Sequence, residues 1–542
     1  MNRYISLLLI AVLYFSLEPA SSYATIVGGD VWGEWNPNGN NYYVYTDLHI
    51  PPDSTLIIDP GCRIIFLGNY KLSVDSSSTL TAIGTESDSI IFTPEDTVNG
   101  WGGIRFYKAS NNSRLSYCRI EWVRTYNAGA GISCDQSSPE ISNNTITNNS
   151  AGGNGGGIFC RYSNPIITNN TISNNFVSTV SSGGGGICCM YSCPIIKDNL
   201  ISNNSVYRFG NSNGGGFYCF HSVGIIENNE IVGNSAKHGG GIYCFYSNPT
   251  IGKNNIRSNI ARYGGGIYCL NSGPTIRENS INNNNVYKCG GAIFCKSSHP
   301  IMTKNVINNN SADYFGGGIF NYFSSPELIN NTISGNCADS SGGGIYCYHH
   351  SVPVVVNTIF WADSASSLEE IYLGNYSSIT ITYSDIDGSW FGEGNIDSDP
   401  MFVDPENGNF HIQWGSPCID AGDPDSPPDS DGTTADIGAF SYYQNTGIND
   451  DNIISQDYKL LQNYPNPFNS MTKISYSLPR RGKVFLNIYN LMGQRVATLV
   501  KDYQQMGVHS VSWDASDYSS GTYFCKLTAG KKVFTNRMTL LK

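Results

Sequence analysis

Apolar and polar residues alternate in short runs that recur with a nearly constant period from Gly129 to about Trp361. A Gly-rich start returns nine times, at steps of 25 to 30 residues. Each unit reads approximately Gly-Gly-Gly-Ile-Tyr-Cys, then Pro, then Ile-x-x-Asn-x-Ile-x-x-Asn. Self-similarity at such a period is typical of a solenoid, in which each unit buries its apolar face only against its neighbours.

Three apolar columns align from unit to unit and predict three short strands in each. The first column begins at Ile132 and has a Cys two residues later in most units; the second runs from Ile141 to Val354 and the third from Ile146 to Ile359. Because side chains two apart in a strand share a face, Ile and Cys point inward together. The pattern predicts an all-β chain, a right-handed parallel β-helix with one continuous core, followed by a small antiparallel β-sandwich.

Two Asn columns accompany the apolar ones, from Asn144 to Asn357 and from Asn149 to Asn336. An amide both donates and accepts hydrogen bonds, and Asn tolerates the left-handed backbone of a tight corner, so we expect structural ladders. The column cysteines are expected to be buried thiols, because parallel strands hold their Cβ atoms about 4.8 Å apart, too far for a disulfide. Four cysteines off the column could pair singly: Cys188, Cys193, Cys289 and Cys337.

The rest of the chain divides into further segments. Residues 1–24 combine a basic start, a short apolar run and small residues, which is typical of a secretory signal peptide. Residues 25–128 predict irregular rungs and a cap, and the helix is expected to fill 129–384, with its repeats ending near 361. Residues 385–452 form an acidic segment and linker, and 453–542 alternate as six strands of the sandwich.

Charge follows the same division. The chain carries a net charge of −12; residues 385–452 hold fifteen acidic and no basic residues, whereas 453–542 hold twelve basic and four acidic residues. No long basic run is present, which argues against a nucleic-acid partner. No apolar run is long enough to predict a membrane span.

An aromatic residue stands between the Ile and the Cys in most units and is expected to point away from the core. Stacked rings stabilise neighbouring strands, and this structural interpretation is favoured. The same stripe, repeating at about 4.8 Å, is also a candidate platform for a sugar chain. Its members are Phe159, Tyr218, Tyr243, Tyr268, Phe294, Phe320 and Tyr346.

Candidate catalytic acids are few. Glu227 and Glu230 fall in one unit and Asp198 in the preceding one, the only grouping that suits acid–base chemistry, and scattered solvated charges are favoured over it. No cofactor is required.

Calcium is a further candidate ligand, at Asp425, Asp429 and Asp431. These acids have the oxygen density of a calcium site without the spacing of a helix-loop-helix loop, and Asp equally forms turns.

The repeats, over residues 44 to 384, resemble the right-handed β-helix proteins of the pectate-lyase-like group. The charged motifs of the sugar-cleaving members are missing from this sequence, so the resemblance implies the fold and carries over no catalytic residue. Three later stretches, Asp399–Asp404, Gly415–Gly422 and Asp436–Phe440, resemble the choice-of-anchor Q region of bacterial surface proteins. Phe440-Ser441 departs from the usual Tyr-Glu ending of that region.

The C-terminal part resembles the type IX secretion C-terminal sorting domain. The matching residues are Leu461 to Asn469, Trp513-Asp514, Ser520 to Tyr523 and the basic tail Arg537 to Lys542. The resemblance implies a Gram-negative bacterium and recognition of residues 453–542 by the type IX machinery. A carbohydrate-binding or spacer sandwich is the alternative.

Together these patterns predict a protein that is secreted or displayed on the cell surface and binds a polysaccharide or a cell-surface glycan, as an adhesin does. The alternative is a polysaccharide lyase or glycoside hydrolase that uses the acids around Asp198 and Glu227. A purely structural surface role is also compatible with the pattern.

Overall fold

The computed structural model describes residues 25–37, 41–180, 182–207, 210–367, 370–444, 458–463, 465–479, 481–504, 507–530 and 532–542. The chain divides into two compact units, of which the first ends at Tyr443 and the second begins at Gln444. The predicted signal peptide lies outside the described residues. Among the described residues, no helix has the length and apolar character to cross a membrane.

The first unit is a parallel β-helix in which each turn contributes one strand to each of three long sheets. Sheet 1 follows the Gly-rich turns and carries the Ile and Cys columns; its strands are Lys71–Val74, Gly103–Tyr107, Ile132–Asp135, Ile158–Arg161, Ile187–Met190, Phe217–Phe220, Ile242–Phe245, Ile267–Leu270, Ile293–Lys296, Ile319–Tyr322, Ile345–Tyr348 and Ile371–Leu373.

Sheets 2 and 3 carry the second and third apolar columns. Sheet 2 consists of Gly33–Trp35, Thr55–Ile58, Thr79–Ile83, Arg114–Ser116, Glu140–Ser142, Ile166–Thr168, Ile195–Lys197, Ile225–Glu227, Thr250–Gly252, Thr275–Arg277, Ile301–Thr303, Glu327–Ile329, Val354–Val356 and Thr380–Thr382. Sheet 3 consists of Arg63–Phe66, Ile90–Pro94, Cys118–Glu121, Thr145–Thr147, Thr171–Ser173, Leu200–Ser202, Glu230–Val232, Asn255–Arg257, Ser280–Asn282, Val306–Asn308, Thr332–Ser334, Ile359–Trp361 and Asp385–Ile386. Thr25–Asp30 and Tyr42–Ile50 join sheets 1 and 3 at the N-terminal end.

A fourth short strand, which the column pattern does not predict, lies between sheet 3 and the next Gly-rich turn. These strands are Arg124–Thr125, Ser150–Ala151, Phe176–Val177, Ser205–Val206, Ile260–Tyr263, Asn285–Cys289, Ser311–Ala312, Cys337–Ser341 and Ser364–Ser367. Each of the middle ones buries one small apolar side chain, such as Val177, Val206 or Val286. One inward residue per strand is too short a signal for periodicity to detect.

The last repeat is one residue longer than predicted. Val355 and Phe360 are the inward residues, and Thr358 takes the Asn position. The predicted column members Val354, Asn357 and Ile359 are therefore one residue early. The additional residue lies at the corner His349-His350, where both residues have left-handed φ values of 53° and 55°.

Polar ladders occupy the corners of the helix. Asn144 Nδ2 donates to Asn170 Oδ1 at 3.0 Å and to Leu115 O at 2.9 Å, and the same bonds recur rung after rung. The second Asn column is equally buried and is bonded in the same way from Asn149 onward. A third ladder, of Ser hydroxyls, runs from Ser137 to Ser351 and was not predicted.

All sixteen cysteines are free thiols. The eight on the sheet 1 column are buried, as the pattern predicts. Among the four off-column cysteines, Cys188 and Cys289 are buried while Cys193 and Cys337 are exposed, and none of the four forms a disulfide.

The acidic segment packs against sheet 3 and belongs to the first unit up to Tyr443. Its antiparallel strands Phe402–Asp404 and Asn409–Ile412 flank a short 3-10 helix, Pro405–Asn407. Cys418 and Ile437 pack on Ile359, and Asn357 Oδ1 accepts from Asp423 N at 2.7 Å. The outward side chains of the longer last repeat are thus covered by this segment.

The second unit is an antiparallel β-sandwich, as predicted. One sheet contains Lys459–Leu460, Met471–Leu478 and Gly507–Asp514; the other contains Arg495–Gln504, Gly482–Asn490, Gly521–Ala529 and Lys532–Leu540. The core between them includes Ile474, Leu486, Trp513 and Leu527.

Candidate functional site

The predicted aromatic stripe lies on the outer face of sheet 1, and its rings from Tyr268 to Tyr346 stack on one another. Tyr268, Phe294, Phe320 and Tyr346 follow at centroid distances of 4.8, 4.9 and 5.0 Å, with interplanar angles of 4°, 17° and 10°. In-register parallel strands place equivalent residues side by side, so neighbouring rings from Tyr218 onward contact one another, whereas Cys188 stands on the rung between Phe159 and Tyr218. We call this row the inner ladder; it comprises Phe159, Tyr218, Tyr243, Tyr268, Phe294, Phe320 and Tyr346.

The inner ladder is buried, with each residue only 4–8% exposed. Burial is the main cause that raises the pKa of Tyr218, Tyr243 and Tyr268 above the usual range. The sugar-platform interpretation expected accessible ring faces, and here those faces are occupied by neighbouring rings. Only ring edges reach the surface.

A groove of about 380 Å³ lies over these edges, with Tyr268, Phe294 and Phe320 among its lining residues. One wall consists of residues that directly precede the Gly-rich turns on successive rungs. The other wall consists of side chains at the C-terminal ends of sheet 1 strands. The first wall is His238, Tyr263, Cys289 and Phe315, and the second is Lys296, Tyr322 and Tyr348.

The Gly-rich turns bring the two walls close to the ladder. Gly264 has φ +62°, and a Cβ there would lie 2.6 Å from Ile267 O and 2.9 Å from the Cβ of Tyr268. Glycine is therefore required for the chain to pass from the wall into sheet 1 over so short a distance.

His238 lies in the first wall. Its Nδ1 lies 3.0 Å from Asn213 Oδ1, which can only accept, so Nδ1–H donates and Nε2 is left as an acceptor. Burial, and then the charges of Lys237, Lys296 and Arg262, lower the pKa of His238 to about 4. The imidazole is neutral at neutral pH.

A second row of rings, which sequence reasoning missed, lies at the corner after sheet 1. Tyr162, Tyr191, His221 and Tyr246 stack at centroid distances of 5.2, 5.2 and 5.0 Å, and the three tyrosines are 43–56% exposed. All four have left-handed φ values, between 44° and 52°, which cost energy for large side chains. Their constant spacing, four residues after the first-column Ile or Phe, was the available signal. We call this row the corner ladder.

The predicted acidic cluster consists of Asp198, Glu227 and Glu230, and the structure does not assemble it into a catalytic pair. Glu227, on sheet 2, forms ion pairs with Lys197 at 2.8 Å and with Arg277. Glu230, on sheet 3, pairs with Arg257 at 2.6 Å. Asp198 is exposed at the corner after sheet 2. Lys197 first, and then Arg277 and Lys253, lower the pKa of Glu227, whereas a general acid needs a raised pKa.

The candidate calcium ligands Asp425, Asp429 and Asp431 take part in local turns. Asp429 accepts from Asp436 N at 2.8 Å and from Ser441 Oγ at 2.6 Å, and Asp431 accepts from Thr433 Oγ1 at 2.8 Å. Within the described ranges, no three His, Cys, Asp or Glu side chains are grouped so as to hold a metal ion. Calcium at these residues stays a prediction.

Comparison with protein families agrees with the geometry of the first unit. The family model described as the right-handed beta helix region matches residues 40–193, 176–295 and 211–360, which together exceed half of the chain. The chain belongs to the right-handed β-helix family. Residues 462–540 of this β-helix protein match the secretion system C-terminal sorting domain. No curated protein matches the chain.

The sorting-domain match identifies the route and destination of the protein. It indicates type IX secretion, which places the right-handed β-helix outside the cell or on its surface.

Proposed function

We propose that this secreted β-helix protein binds an extended polysaccharide lengthwise along the outer face of sheet 1, as an adhesin does. The groove over the inner ladder carries the proposal. It combines the apolar surfaces that sugar rings pack against with polar groups that can bond sugar hydroxyls: His238 Nε2 and the phenols of Tyr263, Tyr322 and Tyr348. Because rungs repeat at about 4.8 Å, the face offers similar side chains at regular intervals to a polymer.

Binding without cleavage is favoured over lyase or hydrolase activity. Glu227 and Glu230 are each neutralised by a cation and lie on different sheets. Two carboxylates placed in this way cannot act together on one glycosidic bond.

Affinity measurements on the full-length protein test the proposal. We expect binding to at least one member of a panel of immobilised neutral and acidic polysaccharides. The double variant Tyr263→Ala/Tyr322→Ala removes a ring from each wall and should weaken that binding about tenfold. Tyr503→Ala, a 64% exposed tyrosine of the sorting domain, is the matched control and should bind normally. No binding to any member, or equal loss in both variants, contradicts the proposal.

The same incubations distinguish binding from cleavage. Reducing ends and unsaturated products should stay at background. Cleavage that Asp198→Ala abolishes would replace the binding proposal with the enzymatic alternative.

A further inference from the structure

Three basic residues occupy one column beside the groove on consecutive rungs. Lys237, Arg262 and Lys288 each stand two residues before a Gly-rich turn, so they stack along the helix at about 4.8 Å per rung. Lys296 lies across the groove on the other wall. We call these four side chains the basic set. Lys237 and Arg262 also line a second depression, of about 270 Å³, on the other side of the column.

Several cations elsewhere on the helix are matched with acids. On sheet 2, Lys197, Glu227 and Arg277 form one alternating network, and at the adjoining corner Lys253 pairs with Glu278. Such alternation is what neighbouring in-register strands favour, because like charges in adjacent positions repel.

The basic set differs from this network because its cations are neighbours with no acid between them. Over the described part of the chain, none of its members forms an ion pair within 4 Å; their partners are a backbone carbonyl and aromatic rings. Lys237 Nζ donates to Gly210 O at 2.9 Å, and Lys288 Nζ lies 3.7 Å from the centroid of Tyr314. Arg262 and Lys296 lie over Tyr263 and Tyr322, at 5.6 and 5.5 Å.

The field of the basic set reaches into the groove. The charges of Lys237, Lys296 and Arg262 all oppose protonation of His238, which shows that three cations converge on one wall residue. Asp313 follows one rung beyond Lys288 and forms no ion pair with it within the described residues. The whole protein has a net charge of −12, so this unpaired stack of cations gives the surface beside the aromatic groove a local charge of the opposite, positive sign.

We infer that the groove binds an acidic polysaccharide, whose carboxylate or sulfate groups lie along the column Lys237, Arg262 and Lys288 and opposite Lys296. The inference rests on the proposed function and names its ligand class. Anionic groups spaced along a polymer relieve the repulsion within the column, while the sugar rings pack on the aromatic walls. The neutral His238 accepts hydrogen bonds from sugar hydroxyls without adding charge.

Three polymers of different charge test the inference on the full-length protein: alginate for carboxylates, dextran sulfate for sulfates and dextran for the neutral case. We expect alginate, dextran sulfate or both to bind, and dextran to bind at least about tenfold more weakly. Binding of the acidic polymer should weaken steeply between low and physiological salt, because exposed charge contacts are screened.

A triple variant locates the effect. Lys237→Gln/Arg262→Gln/Lys288→Gln should lose about tenfold or more in affinity for the acidic polymer, since each exposed ionic contact contributes about two- to fivefold. The control Lys108→Gln/Lys253→Gln/Lys304→Gln makes the same change in net charge at other positions and should stay within about twofold. Circular dichroism and thermal unfolding verify that both variants fold.

Each outcome decides a different question. Preference for only one acidic polymer identifies the anionic group and supports the inference. Equal, salt-insensitive binding of dextran, or equal losses in the two triple variants, overturns the acidic class and leaves the proposed function standing. Failure of every polysaccharide in both assays overturns both.

Discussion

At the scale of single residues, the most unusual chemistry lies where the second Asn ladder ends. Asp363 takes the next ladder position, and its Oδ1 accepts from Asn336 N at 2.6 Å and from Asn336 Nδ2 at 2.8 Å. Its own N donates to Glu370 Oε1 at 3.0 Å. Both acids are more than nine-tenths buried, and each has one oxygen without a hydrogen-bond partner. Burial is the main cause that raises the pKa of both carboxyl groups.

This pair makes stability depend on pH in a defined direction. A raised folded-state pKa means that the native state retains a proton which the unfolded state releases above about pH 4.3. Stability from this site is therefore greatest at acid pH and falls as the pH rises toward the folded-state value. Glu370→Gln cannot titrate, so we expect it to exceed the wild-type protein in stability by ~1 kcal/mol or more at pH 8 and by little at pH 4.

Thermal unfolding at the two pH values measures the difference. Glu86→Gln, an exposed acid, is the control and should behave as the wild-type protein at both. If Glu370→Gln is less stable than the wild-type protein at pH 8, the ionised carboxylate of Glu370 stabilises the fold and the prediction is wrong.

At the scale of elements, the polar ladders hold the turns in register. Asn254 Nδ2 donates to Ile226 O and to Asn279 Oδ1, while its own Oδ1 accepts from Asn229 N and Nδ2. Asn254→Ala would leave several buried groups without partners, each costing about 1–3 kcal/mol. We expect ~3–5 kcal/mol of destabilisation, measured by denaturant unfolding. Asn112→Ala, at an exposed position, should change stability by less than about 0.5 kcal/mol; equal effects would contradict a ladder role.

The elements that could be predicted from the sequence are those with repeated side-chain chemistry. Ile and Cys columns identify sheets 1 to 3, since an inward position on every rung leaves an unbroken column. The fourth strand buries a single small residue per rung and leaves almost no pattern. The register of the last repeat depends on His349 and His350, which both take left-handed backbone that such residues seldom adopt.

The sequence predicts which aromatic residues form the candidate site, but it does not predict which of them are exposed to solvent. The inner ladder is visible as a column of aromatic residues, yet its burial depends on side chains from other parts of the turn, such as Tyr263 and Phe315. The corner ladder is visible only once the left-handed corner is known. The basic set is four residues whose significance comes from the acidic partners that they lack, which no local pattern records.

At the scale of the whole molecule, the sorting domain and the proposed binding groove belong to separate compact units. The β-helix has its own continuous core, and the sandwich buries Trp513 and its neighbours in another. We therefore expect removal of residues 458–542 to leave the unfolding of the β-helix unchanged while abolishing type IX export. Fractionation of the native host should then find the truncated chain inside the outer membrane and the full-length chain outside.

A point substitution tests whether export requires the folded sorting domain or only its amino-acid sequence. Trp513 is 2% exposed, and Trp513→Ala should cost ~3–5 kcal/mol in a unit of this size, enough to unfold most of it. Because export machinery that reads a folded surface requires that surface, this variant should be retained like the truncated chain. Wild-type export of Trp513→Ala would show that the machinery recognises a linear segment of the tail instead. Wild-type export of the truncated chain would show that the export signal does not lie in this unit.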